Sequence, residues 1–182
     1  MTAIEYLDRI DELDREVARL ISGCSPEQLC WQPAPHRWSM AQNFDHLGIT
    51  GEQYLVVLEP TANQARRTSQ PKALDPSNPF AQYFLRTLEP PVKLKLKAPK
   101  KIAPAPQLDP DAARARMLTV HQRLRGLVTR NLDADPGASM VTPFIPLIRM
   151  RIGTVLLIMW KHTQRHLWQC EQVRTHPDFP RP

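Results

Sequence analysis

Proline placement limits what this chain can fold into more than any other feature. Nine prolines, at positions 60, 71, 76, 79, 90, 91, 99, 104 and 106, fall between Pro60 and Pro106. Proline lacks a backbone donor and its ring clashes inside a helix, so no long regular element is expected to cross that stretch. The segments on either side carry helical spacing instead. Gly is scarce, at 6 against 19 Pro, which fits a few long helices joined by stiff, irregular connections.

Four segments have the pattern of long helices. Thr2 to about Ile21 sets Ile4, Leu7, Leu13, Val17 and Leu20 against a face of Asp, Glu and Arg, with Gly23 and Pro26 ending it. Ser39 followed by Gln42 has the capping-box spacing and opens a second helix, expected to reach about Leu58 and stop before Pro60. Asp109-Pro110 opens a third, whose buried side is Met117, Val120, Leu124, Leu127 and Val128. The fourth runs from about Arg151 to Arg174, before Pro177. A short helix from Phe80 to Leu88 fits inside the proline-rich stretch. Val92 to Lys97 alternates with period two but stands alone among prolines, so no strand is expected to rival the helices. The expectation is an all-α protein. It is one domain over residues 1–182, a four-helix bundle with a long Pro-rich crossover, about 60–108, between helices 2 and 3.

The balance of 24 Lys+Arg over 18 Asp+Glu gives a net charge of +6. A surface of that sign attracts anions but is too diffuse to single out nucleic acid, which is not expected as a partner. The basic run Lys93, Lys95, Lys97, Lys100 and Lys101 reads as a solvated loop. The acidic, amphipathic N-terminus is no signal peptide, and the most apolar window, Val155 to Trp160, is too short to span a bilayer. Cys24, Cys30 and Cys170 form no CxxC pair, which points to a reducing compartment. A cytoplasmic location is expected.

The fourth helix holds the most informative residues. Its apolar stripe runs Val155, Met159, His162, His166, Cys170, Val173, so two imidazoles occupy core positions four residues apart. Buried imidazoles need partners, and side chains at i and i+4 can point at one ion. A third ligand from another element fixes a metal, and His46 in the second helix is the best candidate. Asn43 and Thr50, at i−3 and i+4 from His46, share its face and can hydrogen-bond a ligand or a bound water. Cys170 reads as a small buried hydrophobe rather than a fourth ligand. His121 reads as a boundary residue, although it can join the site. Trp31 and Trp38 flank the start of the second helix, with core packing as the default and pocket lining second. Trp160 and Trp168 read as packing residues on the fourth helix, and Arg149, Arg151 and Arg165 as candidates to hold an anionic co-substrate. The segment 162–166 lacks the Glu of HExxH, and no Glu-x-x-His exists for a di-iron centre.

Two motifs bear a resemblance. Trp38-Ser39 through His46-Leu47 resembles the W-S-x-x-x-x-x-x-H-L signature of the DinB-like (DinB/YfiT) family. His162-Thr163-Gln164-Arg165-His166-Leu167 resembles the H-x-x-R-H-L that closes the same domain, and the order of elements agrees over nearly the whole chain. The resemblance implies a four-helix bundle, often dimeric, with a three-histidine site at His46, His162 and His166 holding nickel, zinc or iron. Some relatives are thiol transferases or thiol-dependent isomerases, and many have no assigned reaction.

Three neutral imidazoles leave a divalent ion its full charge and an open position, which acidifies water or binds a thiol as thiolate. The leading expectation is therefore a metal-dependent, thiol-dependent S-transferase or related group transfer. The resemblance further implies a low-molecular-weight thiol and a homodimer, and the neutral ligand set a small anionic or electrophilic substrate. A metal-dependent hydrolase is the second reading, and a non-catalytic bundle that binds metal or a small molecule is the third.

Overall fold

The structure is a computed structural model that describes residues 1–70, 72–76, 78–91, 98–145 and 147–181. It is mostly helical. In chain order come α1 (Ala3–Ile21), α2 (Pro26–Cys30), α3 (Met40–Gln64), α4 (Pro79–Leu88), a 3-10 turn (Lys100–Ile102) and α5 (Pro110–Arg130). Strands β1 (Ser139–Val141) and β2 (Arg149–Arg151) precede α6 (Ile152–Arg174). The alternating segment Val92 to Lys97, with Lys93, Lys95 and Lys97 of the basic run, lies outside the described residues, as do Pro71 and Pro146.

Side-chain caps set the starts of α1, α2, α3 and α5, whereas α6 begins after Arg151 without one. Thr2, Ser25 and Ser39 each accept from the backbone N–H three residues on, while Glu5, Gln28 and Gln42 reach back to the cap backbone. The Asp109 side chain caps α5 ahead of Pro110. At the far end of α1, Arg174 of α6 donates to the carbonyls of Arg19, Leu20 and Ser22, placing a cation where the helix dipole is negative.

The expected faces are buried in the main, but at the start of α1 Ile4 is exposed and Leu7 half-buried, and Tyr6 and Ile10 take the interior positions instead. α1 contributes Tyr6, Ile10, Leu13, Val17 and Leu20 to the interior, each worth about 1.5–3 kcal/mol of apolar burial when fully enclosed. α3 packs on both α5 and α6, and α1 packs on the same two helices. The crossing of α3 and α5 is close: a Cβ at Gly51 would press well inside contact distance of Val120, and one at Gly48 would meet the flexible Arg116 side chain at 2.8 Å. Two apolar clusters result. One centres on Tyr54, Leu55, Leu124, Val155 and Met159, the other on Met40, Phe44, Leu47, Met117 and Cys170.

Two expectations need correction. α3 does not stop before Pro60 but continues through it to Gln64. Pro60 lies on the exposed side, and Val56, whose carbonyl loses its bond there, is 69 % exposed, so ring and carbonyl both face water. The crossover accordingly starts later than position 60 and contains α4 as well as the 3-10 turn. Strands are present: β1 and β2 form an antiparallel hairpin pairing Met140 with Met150, too short to show a period-two pattern. Among the described residues no helix is long and apolar enough to cross a membrane.

Candidate metal centre

The second helix of the sequence reading, α3, and the last helix, α6, bring His46, His162 and His166 together. The ring centroids lie 5.0 Å apart for His46 and His162, 4.7 Å for His46 and His166, and 4.6 Å for His162 and His166. One ligand-capable nitrogen from each ring lies within 4.8 Å of the others. His162 Nε2 sits 3.2 Å from His46 Nε2 and 3.0 Å from His166 Nε2. Metal–nitrogen bonds of about 2.1 Å at angles between square and tetrahedral would put ligand nitrogens about 3.0–3.4 Å apart. The two separations from His162 Nε2 have the dimensions of a metal site.

The protons of two rings can be assigned from their partners. The carbonyl of Ile102 is 2.6 Å from His46 Nδ1, and a carbonyl can only accept, so Nδ1–H donates to it. Asn43 Nδ2 donates to the Ser39 carbonyl at 2.8 Å, which turns Asn43 Oδ1 toward His166 Nδ1 at 2.7 Å. His166 Nδ1–H therefore donates as well. Both rings in this neutral tautomer present an Nε2 lone pair to His162 Nε2. A proton on that nitrogen can satisfy one of the two at a time, whereas a cation at the centre satisfies all three. The donor set fits a divalent metal, with the outer hydrogen bonds orienting its ligands.

Burial keeps the rings neutral. Desolvation lowers the pKa of His46, and lowers those of His162 and His166 well below the ordinary imidazole value, with the neighbouring imidazoles adding to the effect on the latter two. Trp38 covers the group: its ring centroid is 4.9 Å from that of His46, and it stacks on His166 at 5.8 Å with a 22° interplanar angle. Trp38 packs on the imidazole cluster and lines none of the pockets found among the described residues. Trp31 instead packs against His176 and Phe179.

The Pro-rich crossover takes part in the site. Gln42 Nε2 lies 3.3 Å from the Ala105 carbonyl, and Asp45 Oδ2 accepts from the Ala105 N–H at 3.2 Å, so residues 102–106 are pinned along α3. Asp45 also faces Arg116 at 3.3 Å. Its carboxylate is thus engaged away from the imidazoles, as its place next to His46 on a helix requires. The Ile102 carbonyl is the one site component that sequence reasoning missed. It is a backbone atom and leaves no side-chain signal.

Other candidates fall outside the cluster. Cys170 is fully buried with its Sγ 3.9 Å from the Met40 carbonyl, and burial pushes its thiol far above the usual range. Arg165 is buried and donates to the Thr87 carbonyl at 3.0 Å. Arg149 binds the Ser139 hydroxyl and carbonyl across the hairpin. Trp160 and Trp168 of α6 are partly buried, with Lys161 Nζ 4.3 Å from the Trp160 ring centroid. His121 is buried and donates from Nδ1 to Asp14 Oδ1 at 2.5 Å. It lines a pocket of about 20 Å³ that His162 and Thr50 also line.

A family model for the DinB superfamily matches residues 9–170, a span that contains all three histidines of the cluster. No curated protein and no solved structure matches the chain.

Proposed function

The chain belongs to the DinB superfamily, and we propose that it is a metal-dependent enzyme whose His46, His162 and His166 hold one divalent ion, nickel, zinc or iron, for thiol-dependent transfer to a small electrophile. The observation that carries this reading is the pair of outer hydrogen bonds, His46 to Ile102 and His166 to Asn43, which commit two Nε2 lone pairs to the point where His162 Nε2 also arrives. A divalent ion so held supplies Lewis acidity, acidifying a thiol or water that reaches an open position.

The residues of the chain do the rest. Ile102 and Asn43 keep the Nδ1 protons in place, burial holds the rings in the neutral form that ligates, and Trp38 shields the cluster from bulk water. A ligand set without charge favours an anionic partner, and thiolate is the nucleophilic form of a thiol. The same reading takes the four long helices as a four-helix bundle forming one domain. It is supported by a pocket to which α1, α3, α5 and α6 all contribute.

The test is metal analysis of protein purified without a histidine tag, beside a His162→Ala/His166→Ala double variant. About one ion per chain in the native protein and none in the variant is expected for a single three-histidine site. Equal content in both overturns the reading. The metal-loaded protein is then assayed for thiol consumption with a small electrophile. Turnover that needs thiol and is lost in His46→Ala supports transfer, while thiol-independent hydrolysis replaces it with hydrolase chemistry.

A further inference from the structure

Thr50 differs from the other threonines of the helices, which give their hydroxyls to backbone carbonyls, Thr87 to that of Phe84 and Thr154 to that of Asp75. Thr61, Thr119, Thr163 and Thr175 each return their hydroxyl to the carbonyl four residues back, at 2.7, 2.8, 3.0 and 2.8 Å. Thr50, in the middle of α3 and 5 % exposed, does not. Its Oγ1 is the one buried side-chain polar atom without a partner among the described residues. A hydroxyl buried without a partner costs about 1–3 kcal/mol, so something that can hydrogen-bond is expected beside it.

The pocket supplies the space and the other partners. Its volume is about 20 Å³, against the 10–15 Å³ or so that one water needs. Its polar lining comprises Thr50, His121, His162, Thr163, Tyr6 and Tyr54. The Thr163 hydroxyl is committed to Met159. His121 is oriented by Asp14, which accepts a hydrogen bond from its Nδ1–H and so turns Nε2 away from the carboxylate; Asp14 is held in turn by Arg125 at 2.8 Å. Among the described residues His162 is the ring of the cluster that has no outer partner comparable to Ile102 or Asn43: its two bonds both involve Nε2. The orphaned hydroxyl, the oriented imidazole and the unbraced ligand border one water-sized space.

We propose that this pocket is a built site for a single water molecule, held by the Thr50 hydroxyl and the His121 imidazole, which accepts the Nδ1 proton of His162 and so braces the third imidazole of the cluster. The water would replace, for His162, the protein oxygen that each of the other two rings has. The consequence for metal binding rests on the three-imidazole reading above, whereas the water site itself does not.

A high-resolution crystal structure of the metal-free protein reads the site directly. One ordered water within about 3 Å of Thr50 Oγ1 and of the His121 ring is expected. A dry pocket, or a water that touches neither, overturns the proposal. Thr50→Val keeps the shape and removes the hydroxyl, so it should lose the water, while Thr50→Ser should keep it. Zinc affinity, read by competition with a chromogenic chelator, should fall about tenfold in Thr50→Val, as for loss of other outer-sphere partners, and hold in Thr50→Ser. Unchanged affinity in Thr50→Val removes the bracing role. Native protein that binds no zinc instead sinks the metal reading, and the water is still decided by the metal-free crystal.

Discussion

Two arrangements of buried imidazole lie in this interior, and they are anchored by different chemistry. His46 and His166 give their Nδ1 protons to neutral oxygens, the Ile102 carbonyl and the Asn43 amide. His121 donates its Nδ1–H hydrogen bond to a carboxylate, Asp14, shared with Arg125, which also binds Asp11. A neutral acceptor fixes a ring without adding charge and leaves the other nitrogen free for a cation. A carboxylate shared with a guanidinium ties two helices together, here α1 and α5. Burial alone would favour the neutral acid at Asp14, but its hydrogen bonds from His121 and Arg125 outweigh that and hold the carboxyl below its usual range. The contrast separates direct anchoring of two imidazoles of the cluster from a link between helices that reaches the cluster only through the proposed water.

The largest effect should come from breaking a neutral anchor. Asn43→Ala removes the acceptor of His166 and should weaken zinc binding about 10–100-fold by chelator competition. Asp14→Asn still offers an amide oxygen to His121 but loses the charge facing Arg125. It should cost about 1–2 kcal/mol in denaturant unfolding and leave zinc affinity within error. Equal losses of metal in both variants would erase the distinction between the two anchors.

The α3–α5 crossing keeps the two arrangements at a fixed separation. Gly51→Ala pushes a methyl group into Val120 and should destabilise the fold by about 1–3 kcal/mol through overpacking. Metal affinity should survive, because His46, His162 and His166 reside on α3 and α6 alone. Stability of Gly51→Ala equal to the native protein would show that the crossing is looser than drawn.

Acid should act on the neutral rings. Burial sets the folded-state pKa values of His46, His162 and His166 below the 6.5 of a free imidazole. Below that pH the unfolded chain takes up protons that the metal-free fold refuses. The stabilisation is therefore complete above 6.5 and is lost as pH falls toward the folded values, by about 1.4 kcal/mol per pH unit for each ring still neutral. Denaturant midpoints of the metal-free protein should drop across that window. A flat profile would mean that the rings charge freely within the fold.

How much of this was legible in the sequence follows from where the information resides. The i,i+4 pair His162 and His166 is visible because helical spacing places both on an otherwise apolar stripe. Ser39 with Gln42 and Asp109 with Pro110 are visible because caps are local. Asn43 could be named as a potential supporting residue from its offset to His46, and Thr50 likewise. Passage of α3 through Pro60 was not legible, since it depends on that turn facing water. The Ile102 carbonyl was hidden for a deeper reason: it reaches His46 through the fold of a proline-rich segment 56 residues downstream, and any residue type carries the same backbone oxygen. The hairpin was missed because three-residue strands carry no periodicity.

Cys170 gives the smallest expected effect and so the sharpest control. It lies one turn beyond His166 on the stripe that holds both α6 ligands, the place from which sequence spacing allows a fourth, soft ligand. Its Sγ points to the Met40 carbonyl at 3.9 Å and burial disfavours the thiolate, the form in which cysteine ligates. Cys170→Ala should therefore leave zinc affinity and stoichiometry unchanged while costing roughly 1 kcal/mol for the small void it opens. A cobalt-substituted native protein should show no sulfur-to-metal charge-transfer band in the near ultraviolet. Such a band, lost in Cys170→Ala, would move the thiol into the ligand set and put a charged group where only neutral imidazoles have been assigned.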